Sequence, residues 1–281
     1  MEVFATIAEV RACLQEKTAM GLTVGFVPTM GALHRGHLSL LEKAREENNV
    51  AVCSIFVNPI QFNNKNDLKK YPRDIDKDLK LLKEIGCDVV FHPSEEEMYP
   101  EPVKEEIDLG GLDEVLEGKY RPGHFRGVVI VVRRLFEIIR PGRAYFGQKD
   151  YQQLVIIHHM VTKLNLPVEI VPCPTVREKD GLAMSSRNAR LSKAERKRAP
   201  LIYNTLKLVK VHAGYTGLND VKNMVMDAFR RDRIMELEYF EIVDMKTLRS
   251  VSHWTQSQNL IACIAAYAGD VRLIDNIVIF S

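Results

Sequence analysis

Several things are scarce or missing in this sequence, and each absence closes a door. There is no G-x-x-x-x-G-K-[ST] loop and no G-x-G-x-x-G turn, the two commonest glycine-rich cradles for nucleotide phosphates. The five cysteines, Cys13, Cys53, Cys87, Cys173 and Cys263, are odd in number, far apart and never spaced Cys-x-x-Cys. A disulfide framework or a zinc knuckle is therefore not expected; reduced, buried thiols of a cytosolic protein are. Charge of one sign is also missing, with 39 Lys plus Arg against 37 Asp plus Glu. A nucleic-acid partner would normally require a basic excess or stripe. The basic cluster Lys193–Arg198 is short and contains Glu195, as a solvated helix face does. No apolar run reaches membrane-spanning length and no charged-then-apolar leader opens the chain, so the expectation is a soluble, cytoplasmic protein without a membrane or nucleic-acid partner.

The chain that remains has 281 residues, 46% of them hydrophobic and 27% charged, enough to bury the core of one large α/β domain or two smaller ones. "GLTVGFVP" and "NVAVCSIFVN" are short, apolar and rich in Val and Ile, the pattern of strands covered on both faces. "CDVVFHP", "AYFG" and "PVEIVPCP" predict three more. Helical stripes separate them: Leu38, Leu40, Leu41 and Ala44 within His37–Glu47, then Ile75, Leu79, Leu82 and Ile85, then "HFRGVVIVVRRLFEIIRPG" and "DYQQLVIIHHMVTKLN". Alternating strands and helices imply a doubly wound parallel sheet. Past Asp180 the order changes. Two helical segments, Ser192–Ala213 and Leu218–Ile234, precede three strand-like runs, the last two joined by Gly269-Asp270, a tight hairpin signal. The expected organisation is an α/β domain over 1–180 and a smaller α+β domain over 181–281.

Ligands of open α/β sheets bind beyond the carboxyl ends of the strands. That rule selects four loops: Thr29–His37, Asn58–Phe62, Gly147–Gln153 and Val176–Asn188. The first sets His34 and His37 three residues apart where a strand gives way to a helix. Three readings of this pair compete. As zinc ligands they would need a further His, Cys or carboxylate, and no cysteine lies in the four loops. As packing residues they suit the polar "HRGH" poorly. As phosphate contacts they sit where a helix start offers free N–H groups and a positive dipole end.

The pattern T-x-x-x-x-H-x-G-H, Thr29 to His37, resembles the HxGH signature of the nucleotidylyl-transferase superfamily and class I aminoacyl-tRNA synthetases. "REKDGLAMSSRNARL" resembles the mobile loop that closes over a triphosphate in those enzymes. Neutral amides at Asn58, Gln61 and Gln153 suit hydroxyls and a carboxylate that must stay nucleophilic. Taken together, "PTMGALHRGH", "FVNPIQF", "YPRD", "PGHFRGV", "FGQKDYQQL" and "REKDGLAMSSRN" resemble the pantothenate synthetase (pantoate–β-alanine ligase) family, with an echo at "RLIDNI".

The resemblance implies a Rossmann-like fold and an ATP-dependent condensation of pantoate with β-alanine through pantoyl-adenylate, releasing AMP and pyrophosphate. It implies catalytic roles for His34, His37 and Lys149, with His37 as proton donor. The ATP site would take Met30, Gly31, Ala32, Leu33, Arg35 and Gly36 around the histidines. Gly147, Gln148 and Asp150 would flank Lys149, while Val176, Met184, Ser185, Ser186 and Arg187 would close over the nucleotide. Gln61 and Gln153 would bind pantoate, with Asn58 nearby. Magnesium would accompany ATP, with Asp78 as its protein ligand, and the protein would be a homodimer, for which Glu101–Gly110 could supply an edge strand. Two other readings remain: adenylyl transfer to a phosphate acceptor, and a non-catalytic RNA-binding relative of the synthetases. Tyr71, His124 and Arg126 sit in matching motifs without an assignable role.

Overall fold

The apolar runs pair in parallel. In the computed structural model, which describes residues 1–62, 68–69, 71–101 and 107–281, β1 (Glu2–Phe4), β2 (Val24–Thr29), β3 (Val50–Ile55), β4 (Val89–Phe91), β5 (Arg143–Gly147) and β6 (Glu169–Cys173) form one sheet in the order β1-β4-β3-β2-β5-β6. Every pairing in it is parallel. Helices cover both faces, which is why the central strands carry apolar residues without alternation. α1 (Ile7–Ala19), α4 (His124–Ile139) and α5 (Tyr151–Lys163) pack on one side with Phe26, Val52 and Phe91. α2 (Arg35–Glu47) and α3 (Ile75–Glu84) pack on the other with Val27, Cys53 and Val90. Fully burying one such Val, Leu or Phe contributes about 1.5–3 kcal/mol, so these two layers dominate the stability of the sheet.

β2 lies between β3 and β5. The chain winds outward from β2 through β3 and β4, then returns to add β5 and β6 on the other side. The helices after β2 and β5 therefore leave on opposite faces of the sheet and open a crevice beyond the carboxyl ends of these two strands.

β1 and α1 have no counterpart in the sequence-based expectation. β1 is three residues on the sheet edge, and α1 buries only Val10 and Leu14, too little for a periodic stripe to register. Thr6 caps α1, accepting from the Glu9 amide at 3.3 Å. The edge strand expected within Glu101–Gly110 falls largely on 102–106, outside the described residues.

Residues after 190 build a second layer. The helix expected over Ser192–Ala213 is two: α6 (Lys193–Arg198) and α7 (Leu201–His212), because Pro200 has no N–H to continue the first. α8 (Leu218–Arg230) follows, then β7 (Met235–Asp244), β8 (Leu260–Ala268) and β9 (Val271–Phe280) in an antiparallel meander. The β8–β9 turn needs a positive φ, which Gly269 supplies at +56°. β8 is buried on both faces. Leu260, Ala262 and Ile264 meet α7 and α8, while Ile261, Cys263 and Ala265 join the apolar cluster of the large sheet. Among the described residues, no helix is long and apolar enough to cross a membrane. Cys53, Cys87, Cys173 and Cys263 are buried thiols and Cys13 is half-buried.

Candidate active site

At the end of β2, Thr29 turns the chain. Its hydroxyl donates to Ser54 O at 2.7 Å and accepts from the Gly31 amide at 3.2 Å. Gly31 and Ala32 then take positive φ values of 77° and 50°, a region a non-glycine residue enters at a cost. The loop is held by Asp78 of α3, whose two carboxylate oxygens accept from the Ala32 and Leu33 amides at 2.8 and 2.7 Å. Asp78 is 2% exposed and does not line the cleft. Both of its oxygens, expected at a magnesium ion, serve the backbone of this loop.

His34 caps α2. Its Nδ1 accepts from the Gly36 amide at 3.1 Å, and His37 Nδ1 accepts from the His34 amide at 3.3 Å. The rings sit 4.1 Å apart, tilted by 38°. A Cβ on Gly36 would come within 2.9 Å of the His34 ring, which is why glycine stands between the two histidines. Burial, then the Lys149 charge, lowers His34 to about 4. Burial, then His34, lowers His37 to about 3. Both rings are therefore neutral at pH 7, and since each Nδ1 accepts, each proton sits on Nε2. The pair presents two N–H donors beside a helix N-terminus, with no net charge of its own.

Opposite lies the Asn58–Phe62 turn. Asn58, fully buried, does not reach the cleft. It donates to Gly127 O at 3.0 Å and to Gln61 Oε1 at 3.3 Å, and accepts from Tyr99 Oη at 3.0 Å. Its work is to aim Gln61, whose Nε2 also contacts Met30 Sδ at 3.0 Å. A Cβ on Gly127 would lie 2.6 Å from the Gln61 Cα, so α4 docks its first turn directly on this turn. His124 completes the joint, its Nδ1 donating to Gln61 O at 2.9 Å, and burial brings that ring down to about 4.

β5 delivers the third loop. Lys149 Nζ lies 3.5 Å from the Asp150 carboxylate. Burial works to raise Asp150, but the Lys149 and Arg187 charges outweigh it and hold it low. Asp150 occupies the N-cap position of α5 without making the capping bond, leaving its oxygens to the cleft. From the far side, Asn276 of β9 donates to both Gln148 O and Lys149 O at 2.9 Å.

The fourth loop is a small hairpin. Arg177 pairs with Ala183, and the Met184 amide donates to Val176 O at 3.0 Å. Arg177 places a fork on buried Asp275 at 2.6 and 3.0 Å and stacks 3.8 Å over the Tyr203 ring. Beyond it, Ser186 Oγ comes within 3.4 Å of Tyr71 Oη, so the loop reaches across to the opposite wall.

These four loops enclose a cleft of about 230 Å³. Met30, His34, Gly36 and His37 line it, as do Gln61, Gly147, Lys149, Asp150 and Gln153. So do Val176, Met184, Ser185, Ser186 and Arg187. Gly31, Ala32, Leu33, Arg35 and Gln148 stand behind the wall rather than in it. Tyr71, Arg121, His124 and an apolar strip of Val128, Val131, Val132 and Leu135 complete the lining, while Arg126 is exposed and apart from it. A second chamber of about 470 Å³ shares Arg121, Lys149, Asp150, Ser185 and Arg187, and its outer wall is β9. There Glu117 accepts from Arg272 at 2.6 and 2.8 Å and from Tyr239 Oη at 2.8 Å. Burial alone would raise Glu117, but the Arg272 fork holds it low.

Among the described residues, no three His, Cys, Asp or Glu side chains converge as a metal site. Asp150 is nevertheless an ionised, half-exposed carboxylate on the cleft wall, a donor suited to a magnesium ion that arrives on phosphate oxygens and keeps most of its waters.

A family model described as pantoate-beta-alanine ligase matches residues 2–278. The chain belongs to that family. Within it, the chain is 52% identical over 277 residues to the pantothenate synthetase of Bacteroides fragilis, covering 99% of this chain and 98% of that protein. It is 48% identical over 276 residues to that of Cytophaga hutchinsonii, covering 98% of each. The crystal structure of pantothenate synthetase from Thermus thermophilus superposes with a TM-score of 0.93 at 45% identity, over 100% of both chains. The Francisella tularensis ligase, in complex with Beta-gamma ATP and β-alanine, superposes at 0.82 with 36% identity, over 99% of this ligase and 97% of that one.

Sequence reasoning had no role for Asn276, Asp275 or Arg177. Their importance depends on contacts between residues about a hundred positions apart; "RLIDNI" contains Asp275 and Asn276, and "REKDGLAMSSRN" begins with Arg177.

Proposed function

We propose that this ligase condenses pantoate with β-alanine in two steps, through pantoyl-adenylate, with release of AMP and pyrophosphate. The observation that carries this reading is that His34 and His37, each with its Nδ1 accepting a backbone amide, line one cleft with Gln61, Gln153 and Ser185-Ser186-Arg187. The pantoate carboxylate attacks the α-phosphorus, the P–O bond to the β-phosphate breaks, and pyrophosphate leaves. Charge gathers on the α-phosphate oxygens as this happens. Two fixed N–H donors at a helix start, with the Lys149 cation, stabilise that charge without reorganising. With rings this strongly depressed, His34 and His37 act in the free enzyme as hydrogen-bond donors rather than as acids that give up a proton. Gln61 and Gln153 hold pantoate without neutralising its carboxylate, and the strip Val128–Leu135 offers its methyl groups an apolar wall. The β-alanine amine then attacks the acyl carbonyl and AMP departs.

Serines 185 and 186, with Arg187, take the pyrophosphate end, Arg through its planar fork. Asp150 would hold magnesium together with the phosphates, and the ion would supply charge neutralisation on the leaving group. In this reading residues 181–281 serve as a lid domain on the 1–180 domain, in a cytoplasmic homodimer. The assay that tests it omits ATP, pantoate and β-alanine in turn. AMP released only with the full set supports the reading; ADP as product overturns it. Adenylyl transfer to a phosphate acceptor is disfavoured, because the pantoate side of the cleft offers neutral amides where a second phosphate needs cations.

A further inference from the structure

Just before the first histidine of α2, the chain does something costly. Gly31 and Ala32 occupy the left-handed region in succession, at φ +77° and +50°. Glycine enters it freely, whereas in alanine the Cβ crowds the following carbonyl. A Cβ at Gly31 would stand 2.9 Å from Asp78 Oδ2, so the turn is pressed onto that carboxylate. The bend points two consecutive amides, Ala32 and Leu33, at the two oxygens of one buried side chain. The next residue is His34, the cap of α2, whose own amide donates to His37 Nδ1. A displacement of Ala32 and Leu33 thus passes in one step to the backbone that fixes both imidazoles.

We infer that Asp78 is a positioning residue for the adenylation step: its carboxylate holds the strained Gly31–Ala32 turn, and through it the register and Nε2–H tautomers of His34 and His37. Asp78 touches no substrate. The inference rests on the two histidines serving the α-phosphate.

Asp78→Asn keeps the volume but turns a donor toward one of the two amides. Because a misplacement near 1 Å costs about 100-fold, kcat for pantoate-dependent exchange of ATP should fall by about that factor, with KM for ATP changing much less. The magnesium concentration giving half-maximal activity should stay put. Nitrogen NMR of the histidine side chains should show fixed Nε2–H tautomers in the wild type and mixed tautomers in the variant. Adding Ala32→Gly, which removes the cost of the left-handed turn, should recover part of the lost kcat. A folded Asp78→Asn protein with wild-type kcat and histidine signals overturns the inference, as does a loss that excess magnesium restores. If the variant does not fold, the wild type decides: hydrogen-bond couplings from the Ala32 and Leu33 amides to the Asp78 carboxylate carbon are expected, and their absence overturns it. Failure of the wild type to release AMP would instead count against the ligase reading, since the tautomer signals do not depend on turnover.

Discussion

The two halves of the cleft are built by opposite strategies. The histidine corner is assembled almost entirely from neighbours: Thr29, Gly31, Ala32, His34, Gly36 and His37 hydrogen-bond or pack among themselves, with Asp78 as the outside support. The phosphate-facing half is held from far away. Arg177 is tied to Asp275, and the Gln148-Lys149 backbone is tied to Asn276. The first half needs β2 and α2 with two anchors, Ser54 of β3 and Asp78 of α3; the second needs the contacts made by β9. Chemistry that needs sub-ångström geometry sits on the local half. The half proposed to admit ATP and release pyrophosphate depends on a joint.

The largest effect should come from breaking the local half. His37→Ala should reduce pantoate-dependent isotope exchange in ATP by about 100- to 1000-fold, the usual cost of one donor to developing charge, with little change in Tm. An exchange rate equal to wild type would remove the assigned role. Breaking the distant half should show first in stability. Arg177→Met leaves buried Asp275 uncompensated, and removing one partner of such a pair costs about 3–5 kcal/mol; the check is a urea titration, with KM for ATP measured alongside. Asn276→Ala should be milder. Losing two hydrogen bonds to the Lys149 loop, each contributing about 1 kcal/mol, should raise KM for ATP by about tenfold and leave the histidine NMR signals unmoved.

The smallest effect concerns pH. His34 at about 4 and His37 at about 3 lie below the ordinary histidine value of 6.5. The profile of kcat/KM for ATP should therefore show no histidine inflection near 6.5 in the free enzyme. Stability carries the complementary signature. Below 6.5 the unfolded chain takes up protons that the folded rings refuse until about 4 for His34 and His124 and about 3 for His37. Stability contributed by these groups is complete above 6.5 and is lost as pH falls toward 4. His124→Gln should flatten part of that slope in a chemical-denaturation series.

The same division explains what could be read from the residues alone. Strand and helix order, the Gly269 hairpin and most of the cleft lining follow from apolar periodicity and from motifs whose members lie within a few positions of each other. Asn58 reads as an amide near the substrate because it is a neutral amide in an apolar motif beside Gln61; its bonds to Gly127 and Tyr99 are tertiary. The magnesium role for Asp78 is implied by the resemblance, through the acidic residues after "YPR", whereas the backbone it serves lies 45 and 46 positions earlier. β1 and α1 bury too little to leave a pattern.

The apolar cluster that runs from Phe26 and Ile157 into Ile261, Cys263 and Ala265 has a mechanical meaning. The three-stranded sheet shares that cluster through its middle strand, so parting the two sheets would expose apolar surface to water. Motion on nucleotide entry or release is therefore expected at the short hairpin between Val176 and Met184 and in the stretch that follows it. A spin label pair reaching from α5 to α8 should report one distance throughout the cycle, while a label at the hairpin tip moves.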